Sequence, residues 1–342
     1  MSGWQMLYTG FGIALLTAFL SYFSCKVVMG WALKSGMIAV PGPRQSHLVA
    51  TPTGGGLGLV FSILAAYLLL WLFLGLPPGW LQGVMPGLLL LVFVGWLDDK
   101  HSVSSLIRLL IQLAVSLCLL TCAPLQFSLT ELSLFLTAIF TIVWLMNLYN
   151  FMDGSNGMAG FQGVFAGVVF AFLFYLEGQV EMSLLALVMA AACLGFLPLN
   201  FPRARVFMGD VASVPLGFLI ASFSIYGMAT GSVSVSLAFL IMSVFVIDAT
   251  LTLLARVISR ERWYTAHAQH VYQRLIAHGW SHQRVLAVYQ VINAGLVLPA
   301  VVLAKGYPQF AVQIVVITSL LLVSGWQIAN KKLGGLAEVR IK

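Results

Sequence analysis

The sequence predicts an all-α polytopic integral membrane protein with about ten to eleven transmembrane helices. The 342 residues are 61% hydrophobic and only 8% charged, against roughly 25% charge in an ordinary soluble domain. Mean hydropathy is +1.00. Apolar runs of about 20 residues recur from end to end, the length a helix needs to cross a bilayer core.

Eleven spans are expected, near 6–27, 55–75, 84–97, 106–122, 132–149, 158–176, 182–199, 211–230, 234–256, 285–304 and 309–329. The first has neither a basic leader nor a small-residue cleavage site, so it reads as a retained helix rather than a signal peptide. The third is short and flanked by Gly and Pro, which makes it the weakest as a full crossing. With the N-terminus outside, every one of the 17 Lys and Arg except Lys305 falls on the inner side. That bias predicts an N-terminus outside and a C-terminus on the cytoplasmic face. It also accounts for the net charge of +7 without nucleic acid, for which no soluble basic domain exists. Cys25, Cys118, Cys122 and Cys193 lie in or beside apolar segments and read as packing residues rather than as disulfides or metal ligands. No repeat or linker divides the chain, so 1–342 is expected to form one domain. Its cytoplasmic loops fall near 28–54, 98–105, 150–157, 200–210 and 257–284.

Those inner loops hold most of the polar chemistry. "WLDDKHS" carries Asp98 and Asp99, and "NLYNFMDGSNG" carries Asn147, Asn150, Asp153 and Asn156. "NFPRARVFMGDVAS" carries Arg203, Arg205, Phe207 and Asp210, and "RVISRERWYTAHAQHVYQR" carries Arg262, His267, His270, Gln273 and Arg274. Seven of the ten acidic residues sit on or near this basic face. Oxygen ligands from several loops suit Mg²⁺ shared with substrate phosphates, and Arg and His suit the phosphate oxygens themselves. A diphosphate held through a metal fits the set better than an ion pore.

Each group alone has a bland reading. Paired acids at a helix end can be solvated caps, "NFMDGSNG" makes a plausible turn and N-cap, and Asp210 could open the eighth span as a cap. His267, His270 and Arg274, spaced i, i+3, i+7, would share a helix face. His278 and His282 read as solvated surface. Asp248 lies deep in the ninth span before Arg256, a functional or pairing position by default. Capping alone does not account for four such loops on one face.

Taken together, "WLDDK", "NLYNFMDGSNGMAG", "FMGDVAS" and "HAQHVYQR" resemble the polyprenyl-phosphate N-acetylhexosamine-1-phosphate transferases, glycosyltransferase family 4. So do "SHLVATPTGGG", "RLLIQ" and "IDATLTLLARV". The resemblance spans essentially the whole chain. It implies a membrane enzyme in which undecaprenyl phosphate attacks the β-phosphorus of a UDP-N-acetyl amino sugar. The products would be undecaprenyl-diphosphate-sugar and UMP, with Mg²⁺ as cofactor and Mn²⁺ as the alternative. It implies a metal held by Asp210, with Asp98 and Asp99 beside it and the lipid phosphate. A phosphate monoester is already largely ionised near neutrality, its second pKa being about 6, so the acids are expected to position and neutralise rather than to act as strong bases. Phe207 would stack on uracil, and Asn147, Asn150, Asp153 and Asn156 would line the nucleotide pocket. Arg108 and Gln112 would face the site from the fourth span. His267, His270 and Arg274 would approach diphosphate or sugar, with His47 and Asp248 completing the substrate residues. The site would face the cytoplasm, and a homodimer is left open.

Three positions depart from the family pattern: Asn156 stands for a frequent aspartate, Ala212 for the glycine of "GDVGS", and "HAQH" for other His-rich forms. The "HxxHxYQR" form is more like the subgroup that starts O-antigen or related surface glycans from UDP-N-acetyl-6-deoxyhexosamines. UDP-GlcNAc or UDP-MurNAc-pentapeptide transfer is the alternative within the family. An ion-coupled transporter is a distant one, since it would place ionisable groups near the midplane, where only Asp248 falls.

Overall fold

The computed structural model describes residues 3–40, 49–74, 78–123, 131–261 and 268–334. His47 and His267 therefore lie outside the described residues. Thirteen α-helices make up nearly all of the described chain: α1 Gly3–Ser35, α2 Gly56–Leu74, α3 Pro78–His101, α4 Ser105–Cys122, α5 Leu132–Phe151, α6 Met158–Leu176, α7 Val180–Asn200, α8 Asp210–Thr230, α9 Val235–Ile258, α10 Val271–Ala277, α11 His282–Ile292, α12 Leu298–Gly306 and α13 Ala311–Lys332. Among the described residues, eleven helical stretches are long and apolar enough to cross a membrane. The protein is thus an all-α polytopic membrane protein.

The expected spans hold in number and order, and the differences lie at their ends. α1 runs on to Ser35, two turns past the expected end, with Lys34 in a last turn whose carbonyls favour a cation. The doubtful third span is a full helix that carries Pro86 in its interior. The tenth is interrupted by a π-turn at Asn293–Val297, between α11 and α12. The segment between α1 and α2 contains a strand pair that an all-α reading does not foresee: Ile38–Ala39 (β1) runs antiparallel to Thr51–Pro52 (β2).

α8 sits at the centre, and almost every one of its side chains is buried. It packs on α3 and α5, while α7 packs on α1 and α6. Close approach follows from small residues, which pack helices together where lipid supplies no hydrophobic drive between them. At Gly95 of α3 a Cβ would lie 2.6 Å from the Asp210 carbonyl oxygen. Inside the bundle, hydroxyls satisfy themselves on the preceding turn, as Ser222 does on the Phe218 carbonyl at 2.7 Å. Buried amides instead tie helices together. Asn293 donates to Gln162 at 2.8 Å, and Gln162 donates to the Ile241 carbonyl at 3.0 Å.

The first loop is seated on the start of α8 by backbone bonds. Phe207 N–H donates to the Pro52 carbonyl (2.8 Å), Gly55 N–H to Phe207 (2.9 Å) and Gly56 N–H to Met208 (2.9 Å). Gly56 is obligatory in this contact: a Cβ there would overlap that of Ala212 and lie 2.6 Å from the Met208 carbonyl oxygen. Gly56→Ala is expected to destabilise the folded protein by about 1–3 kcal/mol, the usual cost of overpacking. Ala212→Gly in the same chain should recover part of the loss, and thermal melts of the purified variants in detergent measure both.

Candidate active site

Asp98 and Asp99 end α3, and successive residues on a helix point about 100° apart, so the two carboxylates reach different partners. Asp98 turns toward α4. Its Oδ1 accepts the Val103 N–H at 2.6 Å and its Oδ2 accepts from Arg108 at 2.9 Å. The tight link that makes this reach possible contains Ser102 at φ +53° and the α4 cap Ser104. Asp99 turns toward α8, where its oxygens accept the backbone N–H groups of Asp210 (3.0 Å) and Val211 (3.4 Å). The residue before Asp210 is Gly209 at φ +77°, and a Cβ there would overlap the Asp99 carboxylate. Asp99 thus caps a helix N-terminus, where a carboxylate is stabilised by orphan N–H groups and the helix dipole.

Asp210, the first residue of α8, closes the cluster. Its Oδ2 accepts from the same Arg108 nitrogen at 3.0 Å, and its Oδ1 accepts from Asn150 at 2.7 Å. Asn150 also donates to Ser213 at 2.9 Å. One helical turn past Arg108, Gln112 pairs with Asn147: Asn147 donates to Gln112 at 2.7 Å and to the Val143 carbonyl at 2.8 Å. Between these groups lies a crevice of about 20 Å³ bounded by Gly95, Arg108, Gln112 and Asp210, room for one water. Burial, with the charges of Asp210 and Asp99 nearby, pushes the Asp153 carboxyl well above the usual carboxylate range.

Two hard carboxylate oxygens, from Asp98 and Asp210, therefore converge on one cationic nitrogen. Such a donor set fits a divalent ion that keeps waters and takes its remaining ligands from phosphate oxygens, the habit of Mg²⁺. Among the described residues, no cluster of three or more His, Cys, Asp or Glu forms a closed metal cage. Asp99 differs from these two in that both its oxygens accept α8 backbone N–H groups and neither is bonded to Arg108.

The last loop differs most from expectation. The expected helix face through His270 and Arg274 does not extend back along the chain, because residues 268 and 269 are coil and the helix begins at Val271. His270 is the N-cap of α10, 2% exposed. Its ring stacks between Phe151 (6.1 Å) and Tyr272 (6.0 Å). Burial, with the Arg256 charge adding, lowers its pKa to about 4, so it is a neutral packing ring rather than an acid. Arg274 is 1% exposed and is used on the C-terminal helix, donating to the Asn330 side chain and to the Leu333 carbonyl at 2.8 Å. Asp248 anchors α10 to α9 and α11: it accepts from Tyr289 at 2.6 Å, the Val271 N–H at 3.1 Å and Thr252 at 3.3 Å. Arg256 instead pairs with Glu261 at 2.7 Å. Asn156 donates to the Pro202 carbonyl at 3.2 Å, away from the carboxylates.

Phe207 is half-buried beside the cluster, held by the β2 backbone. Two residues that the sequence reading did not assign to the site matter here. His282 Nδ1 meets Ser155 at 2.9 Å, so it braces the "DGSNG" turn rather than sitting on a solvated surface. The Tyr272 hydroxyl donates to the Phe151 carbonyl at 2.8 Å and accepts the Gly154 N–H at 3.1 Å. Neither pairing has a sequence signal, since each joins segments more than 100 residues apart.

Residues 81–228, which include Asp98, Arg108, Asn150, Asp153 and Asp210, match glycosyl transferase family 4. The chain is 27% identical over 311 residues to the probable undecaprenyl-phosphate N-acetylglucosaminyl 1-phosphate transferase of Bacillus subtilis (strain 168), covering 87% of this chain and 85% of that one. It is 28% identical over 322 residues to the decaprenyl-phosphate N-acetylglucosaminephosphotransferase of Mycolicibacterium smegmatis, covering 81% and 78%. It is 27% identical over 286 residues to a phospho-N-acetylmuramoyl-pentapeptide-transferase of Staphylococcus saprophyticus, covering 73% and 84%. The matched segment holds the carboxylate cluster and these relatives align along most of the chain, so the protein is similar to glycosyl transferase family 4 through the part that carries the site.

Proposed function

We propose that this protein transfers an N-acetyl amino-sugar-1-phosphate from a UDP-sugar to undecaprenyl phosphate at the cytoplasmic face of a bacterial inner membrane. The observation that carries this reading is the Asp98–Arg108–Asp210 cluster, bound to Asn150 at one end of the bundle. Polar groups gathered at the ends of apolar spans suit a reaction between a soluble nucleotide and a lipid phosphate. An oxygen of the lipid phosphate forms a bond to the β-phosphorus, and the bond to the bridging oxygen breaks, releasing UMP. Asp98 and Asp210 would hold Mg²⁺, which supplies charge neutralisation at the diphosphate when bound. Arg108, about one-third exposed, can turn from these acids to phosphate oxygens as an oriented cation. Asn150 and Asp99 keep Asp210 in place, so the carboxylates need little rearrangement.

For the sugar, "HAQHVYQR" supports a UDP-N-acetyl-6-deoxyhexosamine and the first step of O-antigen or related surface-glycan synthesis. The named relatives, two of which carry N-acetylglucosamine in their names, favour UDP-GlcNAc as the second reading. Purified protein, undecaprenyl phosphate, Mg²⁺ and a panel of UDP-amino sugars decide between them by UMP release. Absence of release with every sugar overturns the reading.

Asp210→Asn should lower turnover by at least roughly 100-fold, the scale expected when a metal-bound charge is lost, with chelation of divalent ions reducing the wild type likewise. Asp99→Ala should act differently. It removes an N-cap, so a stability loss of about 1 kcal/mol, read in thermal melts, should accompany its loss of activity.

A further inference from the structure

We infer that the Tyr272 hydroxyl is a positioning group for the loop that carries Asp153, and so sets how tightly the UDP-sugar is held. This rests on the reading of that loop as part of the nucleotide pocket. Tyr272 is fully buried, and its hydroxyl makes two bonds to a single turn of chain, donating to Phe151 and accepting from Gly154. These two residues bracket Met152 and Asp153, immediately after Asn150, the donor to Asp210. The fit is close: a Cβ on Gly154 would overlap the Tyr272 hydroxyl.

The hydroxyl is itself held from three directions. Asp248 of α9 takes the Val271 N–H beside it, and Tyr289 of α11 holds Asp248. Arg274, two residues on, is fastened to Leu333 beyond α13. α10 is only seven residues long, too short to be stable alone. Its position is therefore set by these anchors and reaches Phe151 and Gly154 through the Tyr272 phenol.

The test compares Tyr272→Phe with Tyr67→Phe, which deletes an equally buried hydroxyl on the distant Leu185 carbonyl. Tyr272→Phe is expected to raise KM for the UDP-sugar roughly tenfold, the scale of one or two lost hydrogen bonds. KM for undecaprenyl phosphate should stay unchanged, and Tyr67→Phe should move neither. Gly154→Ala approaches the same contact from the loop and should raise the same KM, less than additively with Tyr272→Phe. It serves as the test on its own if the tyrosine variant does not fold. An unchanged UDP-sugar KM, a parallel rise in both KM values, or the same rise in Tyr67→Phe overturns the inference. A readout without turnover separates this from the proposed reaction. Amide exchange across 150–157 should quicken in Tyr272→Phe, and unaltered exchange overturns the brace even where the wild type releases UMP. Wild-type protein that releases no UMP refutes the reaction and leaves the exchange measurement to judge the brace.

Discussion

The contact between the Asp99 carboxylate and the first N–H groups of α8 is the one on which the site depends. It joins the end of one span to the beginning of another, 111 residues later. Gly95 removes the Cβ that would hold the helices apart, and Gly209 adopts the positive φ that aims the N–H groups at the acid. Because Asp210 opens α8, fixing this terminus fixes Asp210. The residues just before it pair with β2 and Gly55 and bring Phe207 along. Asn150 and Arg108 then need only reach a carboxylate already in place.

Four acids this close together at the edge of an apolar bundle are costly, and each is accommodated differently. Asp98 and Asp210 share the Arg108 guanidinium. Asp99 uses a helix N-terminus, which carries positive charge without a cation. Asp153 is shifted toward its protonated form by burial and by its charged neighbours. No two of these solutions have the same reach. A mobile guanidinium can leave its acids, whereas a helix end cannot. Only the first pair is therefore free to exchange one cation for another, which separates Asp98 and Asp210 from Asp99 in role although Asp98 and Asp99 are neighbours in sequence.

Much of this was legible in the chain, and the limits have physical reasons. Span number and order follow from hydropathy because lipid demands it. Asp98, Arg108, Asn150 and Asp210 were readable as polar groups at span ends and come together, as the resemblance implies. The π-turn at Asn293–Val297 and the full length of α3 through Pro86 were hidden, since burial among neighbouring helices overrides local propensity. Ala212 is explained only in three dimensions: its methyl group faces Gly56, whose missing Cβ leaves the room. Lys100, adjacent to the acids in sequence, lies over the Trp96 ring instead.

The described part of the segment between α9 and α11 uses its His, Arg and Asp partners to seat a helix. A seven-residue helix lying against a membrane bundle has its own orphan groups and little apolar surface to bury. Its polar residues are used to seat it: Asp248 on the first N–H groups, Gln273 back to the His270 N–H at 3.2 Å, and Arg274 on the carbonyls after α13. Those bonds would be weak in water, yet in a buried setting leaving any of them unmade is expensive. They therefore hold α10 firmly. Here Asp248 takes backbone N–H and Arg274 takes backbone carbonyl oxygen, so both charged side chains are used on the main chain. The side chain of α10 that bonds to Phe151 and Gly154 is an uncharged phenol, Tyr272.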